Sequence, residues 1–258
     1  RARMIRKPRH FGRWLALACL CAGLAPGTWL RTEVAGRAVL NTRIEALAFT
    51  PATRGPFTLL GLWELHGTAE NFGGYSAIHV YRDHGIRLFS DKGWLLTVPH
   101  PGRPTSAMAL RQLFPTGLPP EELRDIESVT YGPDGRFWIG YENRHTIYRY
   151  ARTGEPQAFI EPDYAGNWGL NSGIEAMVRP RDGRFIVLKE TDGLGFLYPG
   201  DPVDGAAPMA FRLDLPEGFL PADMTQLPDG RVLVLLRRLG WHVPVFESLV
   251  GLADPAAI

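Results

Sequence analysis

The stretch from Glu127 to Glu142 reads E-S-V-T-Y-G-P-D-G-R-F-W-I-G-Y-E. Two runs rich in β-branched and aromatic residues are separated by Pro133-Asp134-Gly135, which is typical of a tight turn. The pattern predicts a β-hairpin with Glu127 opposite Glu142 at its open end. Because like charges directly across a strand pair are unfavourable, a second factor must stabilise these two carboxylates.

The same pattern occurs at three other places in the chain. Glu175–Glu190 repeats the acidic ends and the central Asp-Gly, Ala222–Arg237 keeps the Asp-Gly, and Ser76–Asp91 is a weaker copy. The copies start at positions 76, 127, 175 and 222, which places them about 50 residues apart. A period of this length with hairpin content is typical of a β-propeller, in which each repeat forms one blade.

The sequence therefore predicts an all-β protein of the β-propeller class. A complete ring of this kind would have about six blades, whereas four repeats and a lead-in are present, so we expect an incomplete ring. Residues 31–258 are assigned to the propeller domain, without its C-terminal blade. We expect all Asp-Gly turns on the face opposite the carboxylates. Helical periodicity is confined to Thr105–Phe114, which predicts a short helix.

The N-terminal segment, residues 1–30, has the features of a signal peptide or a membrane anchor. A basic stretch precedes the apolar run Trp14–Ala25, which is short for a membrane span, and Pro26 is unfavourable directly after a cleavage site. Both interpretations predict export to the periplasm or the extracellular space, with the anchor keeping the protein at the inner membrane. Cys19 and Cys21 lie within the apolar run, so the mature domain is predicted to contain no disulfide or zinc site.

The charge distribution excludes several classes of function. The formal net charge is +1, but six of the 28 basic residues lie near the N-terminus, and the remainder of the chain is mildly acidic. The propeller therefore offers no basic patch for nucleic acid, and a small molecule is the expected partner. The sequence also lacks the G-x-S-x-G motif of serine hydrolases, a phosphate-binding loop and a dinucleotide fingerprint.

The ends of the repeats are predicted to form a site at one mouth of the propeller. Successive blades would bring their acidic strand ends together there, and the mutual repulsion of these groups requires a cation. A hard divalent metal such as Ca²⁺, which prefers oxygen ligands, would supply the charge, as would nearby arginines. The predicted metal ligands are Glu127, Glu142, Glu175, Glu190 and Asp223.

Other residues close to the repeat ends complete the predicted site. Glu127, Glu175 and Arg237 are the candidate catalytic residues, with the general base left open between the two glutamates. Candidate substrate-binding residues are Arg144, His145, Asn171 and Arg238. The alternative interpretation of each glutamate is a solvated residue at the rim of the sheet.

Three motifs resemble the bacterial "esterase-like activity of phytase" family, in that family's order. They are D-I-E-S-V-T-Y-G-P-D-G-R-F-W-I-G-Y-E-N-R-H, N-S-G-I-E-A-M-V-R-P-R-D-G-R-F-I-V-L-K-E and P-A-D-M-T-Q-L-P-D-G-R-V-L-V-L-L-R-R. The resemblance extends over about residues 57–254 and includes G-G-Y-S-A and S-D-K-G-W. It implies an exported β-propeller with hydrolase activity, and phosphate-ester chemistry by name. The sequence lacks the family's closing C-terminal segment, with its Asn-Phe-Glu-Gly and Ser-Asp-Asp-Asn motifs.

Three functional hypotheses remain open from the sequence. The first is a metal-assisted phosphoesterase, which the basic residues Arg144, Arg237 and Arg238 favour. The second is a metal-dependent lactonase similar to gluconolactonases, which would have a more apolar pocket. The third is a binding propeller without catalytic activity, because a fold does not determine a function.

Overall fold

The computed structural model describes residues 42–69, 71–81, 85–101, 108–113, 125–142, 144–163, 173–241 and 245–258. The predicted signal or anchor segment and Asn171 lie outside these ranges. The described chain is a β-propeller with four blades, as the repeats predicted. Within the described ranges, no helix is long and apolar enough to cross a bilayer.

Two small antiparallel sheets precede the blades. Strand β1 (Arg43–Ala46) pairs with β4 (Trp63–His66), and β2 (Thr53–Arg54) pairs with β3 (Phe57–Thr58). Residues 57–66 thus contain two strands with different partners, β3 and β4.

Each of the first three blades is an antiparallel sheet of four strands in sequence order. The first blade contains β5 to β8, at Tyr75–Val80, Gly85–Ser90, Trp94–Pro99 and Ala109–Gln112. The second blade contains β9 to β12, at Ile126–Tyr131, Phe137–Tyr141, Thr146–Tyr150 and Pro156–Ile160. The third blade contains β13 to β16, at Ile174–Val178, Phe185–Lys189, Leu194–Tyr198 and Met209–Arg212.

The fourth blade has three described strands, β17 (Leu220–Gln226), β18 (Val232–Leu239) and β19 (Phe246–Ala253). Short 3-10 helices lie at Pro202–Asp204 and Pro255–Ala257. The helix predicted for Thr105–Phe114 is wrong, because residues 109–112 form β8 and pair with β7. Sheet hydrogen bonds to a preformed neighbour outweigh a weak local helical preference.

The hydrophobic core fills the spaces between consecutive blades. In β10, alternate side chains point in opposite directions, so Phe137, Ile139 and Tyr141 pack towards the first blade while Trp138 packs towards the third. A further cluster joins the third and fourth blades around Leu188. Because β10 is covered on both faces, all five of its residues are buried, which explains its continuous apolar sequence.

Polar contacts show that the first strands of neighbouring blades run in the same direction. The buried Oγ of Ser128 donates a hydrogen bond to the Ile174 carbonyl at 2.8 Å, and further along, the backbone N–H of Arg179 donates to Oγ1 of Thr130 at 2.8 Å. The starts of these strands therefore lie at one end of the propeller, and their turns lie at the other end.

The three Asp-Gly-Arg turns have one common geometry. In each of them the aspartate accepts hydrogen bonds from the backbone N–H and from Nε of the following arginine. The glycine between them has a left-handed φ of 84°, 93° or 97°, at Gly135, Gly183 and Gly230 respectively. The tight turn requires this left-handed conformation, which residues with a Cβ adopt only with strain.

Ser128→Ala is expected to lower the free energy of unfolding by about 1–2 kcal/mol, because the Ile174 carbonyl would lose its buried inter-blade donor. Urea denaturation of both proteins measures the change. The matched control is Ser248→Ala on β19, where the side chain is exposed and a change below about 0.5 kcal/mol is expected. Equal effects of the two substitutions would contradict a specific role for the Ser128 hydrogen bond.

Candidate metal centre at the mouth of the propeller

A β-bulge occurs near the start of the first strand in every blade. The pairing skips one residue in β5, β9, β13 and β17. The skipped residues are Ser76, Glu127, Glu175 and Ala222, which are also the first residues of the four sequence repeats. A bulge leaves its extra residue outside the regular ladder and redirects the side chain, and such irregularities are frequent beside functional sites.

The bulge corrects the predicted pairing of Glu127 with Glu142. Tyr141 pairs with Ile126, and the N–H of Glu142 donates to the Asp125 carbonyl at 3.0 Å, so Asp125 lies opposite Glu142. Glu127 is displaced by the extra residue. Asp125 therefore takes the position directly across from Glu142, and Glu127 remains close enough that the three carboxylates form one group.

Five carboxylates converge at this end of the blades, in two groups of three. The first group is Asp125, Glu127 and Glu142, and the second is Glu142, Glu175 and Glu190. Within each group, one oxygen of every residue lies within 4.8 Å of the others. Glu142 belongs to both groups, which connects the second blade to the third.

Asp125 is a member of this cluster that the repeat pattern did not predict. It precedes β9, two positions before Glu127, and its φ of 91° is unusual for a residue other than glycine. Its N–H donates to the carbonyl of Asp91 at the end of the first blade's hairpin. The motif D-I-E contains it, but only the bulged register reveals that it opposes Glu142.

Burial and mutual repulsion raise the pKa values of the clustered carboxylates. Burial raises the pKa of Glu127 to about 9, and the nearby charges of Glu175, Asp125 and Glu142 act in the same direction. Burial also raises the pKa of Glu175 to about 7, with added repulsion from Glu190 and Glu142. The positive charge of Arg237 opposes this shift. The ionised forms of these carboxylates are therefore unfavourable in the folded protein unless a cation neutralises them.

Glu142 is held in place by Gly173, the residue directly before the third blade's first strand. Its pKa is raised mainly by burial and by Asp125, and the N–H of Gly173 opposes the shift by donating a hydrogen bond to the carboxylate. The contact is close, since a Cβ added to Gly173 would lie 2.8 Å from the Glu142 Cα and 2.5 Å from its Cγ. Only glycine fits at this position without movement of the surrounding chain.

Three other predicted site residues, Arg237, Asp223 and Arg238, lie outside the two carboxylate groups. Arg237 lies over the Phe246 ring at 5.1 Å, and its charge acts on Glu175. Asp223 belongs to neither carboxylate group, and burial raises its pKa to about 6. Arg238 forms an ion pair with Glu247 across the outer strand pair and lies over Phe219.

Arg144 and His145 follow Glu142 at the end of the second hairpin. Arg144 forms an ion pair with Glu161 at 3.2 Å. The N–H of His145 donates to the Glu142 carbonyl, and the residue has a left-handed φ of 52°. Burial, together with the charge of Lys189, lowers the pKa of the His145 imidazole, which favours the neutral ring. His145 is thus close to the acidic cluster, while Arg144 points to a carboxylate outside it.

The donor set suits a hard divalent cation. Ca²⁺ binds carboxylate oxygens at about 2.3–2.6 Å, so two ligands on opposite sides of one ion lie up to about 5 Å apart. The separations within each group agree with that limit. Carboxylates with raised pKa values are also the groups that gain most from a bound cation, because the metal stabilises their charged form.

The fold and this cluster define a class of protein, namely a β-propeller with an acidic centre at the bulged ends of its first strands. The family model "Phytase-like: Esterase-like activity of phytase" matches residues 70–255, a range that includes all five clustered carboxylates. The chain belongs to this family. Comparison with curated proteins gave no match.

Solved structures resemble the chain at low sequence identity. Virginiamycin B lyase from Staphylococcus aureus is 13% identical with a TM-score of 0.45, over 73% of this chain and 59% of that chain. A protein of unknown function from Bacteroides caccae is also 13% identical with a TM-score of 0.45, over 76% and 65% of the two chains. The Myceliophteria thermophila Cps50 (Swd1) β-propeller domain is 7% identical with a TM-score of 0.41, over 71% and 53%. This chain spans less than two thirds of each of them.

Proposed function

We propose that the acidic centre binds a divalent metal, calcium, and that the protein is an exported hydrolase that cleaves phosphate esters of small molecules at this mouth. The observation that carries the proposal is the convergence of five carboxylates from two blades at bulged strand ends. Membership of the phytase-like family supports phosphate esters as the substrate class.

The burial of Glu175 argues for a metal rather than a solvated rim. Glu175 is only 7% exposed. Three carboxylates repel its charge, and Arg237 alone opposes them among the groups that shift its pKa. Burying a carboxylate is costly unless it is paired, hydrogen-bonded or bound to a metal. A rim residue would instead be solvated and would show little change in its pKa.

Each residue of the centre has a defined role in the proposed reaction. Glu127, Glu142, Glu175, Glu190 and Asp125 would supply the ligands for divalent metal, which when bound would polarise a phosphoryl oxygen and acidify a coordinated water. With one oxygen on the metal, the ionised Glu175 carboxylate has a second oxygen that would accept a proton from that water. The guanidinium of Arg237, close to Glu175, would bind the phosphate oxygens of the substrate.

Glu175→Gln is expected to weaken calcium binding at least tenfold and to lower phosphomonoester turnover in parallel, because one buried ligand and the proton acceptor are both lost. Calcium titration by calorimetry and a phosphomonoester assay measure the two effects. The matched control is Glu217→Gln, an exposed glutamate outside the cluster, which should change neither quantity.

The same experiment separates the alternative functions. Calcium binding with turnover of a lactone panel, and none of phosphomonoesters, would favour the lactonase. A wild-type protein that binds no divalent metal, with full activity in Glu175→Gln, would contradict the metal centre. Absence of both metal binding and hydrolysis would favour a binding propeller.

A further inference from the structure

We infer that the mouth binds two divalent cations, with the Glu142 carboxylate shared between them. This inference rests on the proposed metal-binding function and specifies its stoichiometry. The two groups of carboxylates each offer three oxygens at distances that suit one ion, and they overlap only at Glu142. Glu127 and Glu175 do not belong to a common group, so the five residues do not form a single coordination sphere.

The repeat explains why there are two sites. The second and third blades each supply a glutamate at the bulge, Glu127 or Glu175, and a glutamate just beyond the second strand of the hairpin, Glu142 or Glu190. Each group contains both glutamates of one blade together with one additional carboxylate. This repetition predicts one ion for the second blade and one for the third.

The other two blades have neither of these glutamates. In the fourth blade the corresponding residues are Ala222 and Arg237, so neither position supplies a carboxylate. In the first blade they are Ser76 and Asp91, so one position does. Among the described residues, neither blade contributes to the two groups. In the part of the chain that the structure describes, a group that fits an ion therefore occurs only where a blade has glutamates at both positions, which gives two sites.

Burial gives independent support for the second ion. The Glu175 side chain is more than nine-tenths buried, has no hydrogen-bond or ion-pair partner in the described chain, and directs an oxygen towards Glu142 and Glu190. An ion bound only by Asp125, Glu127 and Glu142 would leave this buried carboxylate with the charge of Arg237 alone to oppose its burial and the repulsion of its neighbours. Two ions also supply four positive charges for five carboxylates, whereas one ion supplies two.

Counting the bound ions on the full chain tests the inference. Calorimetric titration with Ca²⁺ and native mass spectrometry of the wild-type protein are both expected to give two ions per chain. Mass spectrometry requires no substitution, so its result does not depend on how well a variant folds. A count of one ion, with phosphomonoester turnover retained, would overturn the shared centre and leave the proposed function intact. A count of zero would overturn both.

Three variants locate the two ions. Glu127→Gln should remove the first site and Glu190→Gln the second, each leaving one ion per chain. Glu142→Gln should weaken both sites at least tenfold, because it contributes to each. The control Glu217→Gln should keep two. If Glu127→Gln and Glu190→Gln each left both ions bound, or if Glu142→Gln affected a single site, the shared arrangement would be wrong.

Discussion

Without divalent metal, the protein is expected to lose about 3 kcal/mol of unfolding free energy between pH 4.5 and pH 7 through Glu175 alone. The folded-state pKa of this carboxyl is about 7, above its ordinary value of 4.5. Below pH 4.5 the group is protonated in both the folded and the unfolded states, so it carries no penalty. As the pH rises, the unfolded chain releases the proton first, and stability falls until the folded carboxyl also ionises.

Saturating calcium should remove this loss, because the metal stabilises the ionised carboxylates in the folded state only. Urea denaturation across this pH range, with EDTA or with calcium, measures both curves. Glu175→Gln is the control without metal, since an amide does not titrate, and its curve should be flatter than that of the wild-type protein. A metal-free wild-type protein with unchanged stability from pH 4.5 to pH 8 would contradict the burial of a strained carboxylate cluster.

Gly173→Ala is expected to destabilise the protein by about 1–3 kcal/mol and to weaken calcium binding more than tenfold. The added Cβ would lie 2.8 Å from the Glu142 Cα, an atom of the main chain that cannot rotate away. Either Gly173 with the start of β13 or the end of the second hairpin must shift. Both movements would disturb the hydrogen bond from the Gly173 N–H and displace Glu142, the residue common to the two carboxylate groups.

Gly200→Ala is the matched control, because a Cβ at that position would meet no atom within 4 Å. Thermal unfolding and calcium titration of both variants separate the effect of the clash from the general cost of replacing glycine. If Gly173→Ala bound calcium as tightly as Gly200→Ala, then the position of Glu142 would not control the metal centre.

Local signals in the sequence determined the blades and their turns. A Gly after each Asp permits the left-handed turn, and the alternation around Phe137 and Trp138 directs side chains into the cores on either side of one strand. These properties depend on residues adjacent in the chain, so four repeats sufficed to predict a propeller with acidic residues at the ends opposite the turns.

The composition of the acidic centre was decided by tertiary structure. The repeat alone predicted Asp223 as a ligand and left out Asp125, whereas Asp125 lies in one of the two carboxylate groups and Asp223 lies in neither. A bulge shifts the pairing by one residue, and its position depends on hydrogen bonding between strands rather than on local preference.

The features that the sequence determined and those that tertiary structure decided differ in the distance along the chain over which they act. The sequence alone determined the repeats, the hairpin turns and the two acidic positions in each of two blades, because hydrophobic period and turn chemistry act over a few residues. Tertiary structure decided the strand β8 at residues 109–112, the register that places Asp125 opposite Glu142, and the contact of Glu142 with Gly173. These features join residues of different strands or blades, and their distances are set only when the sheets pair and pack.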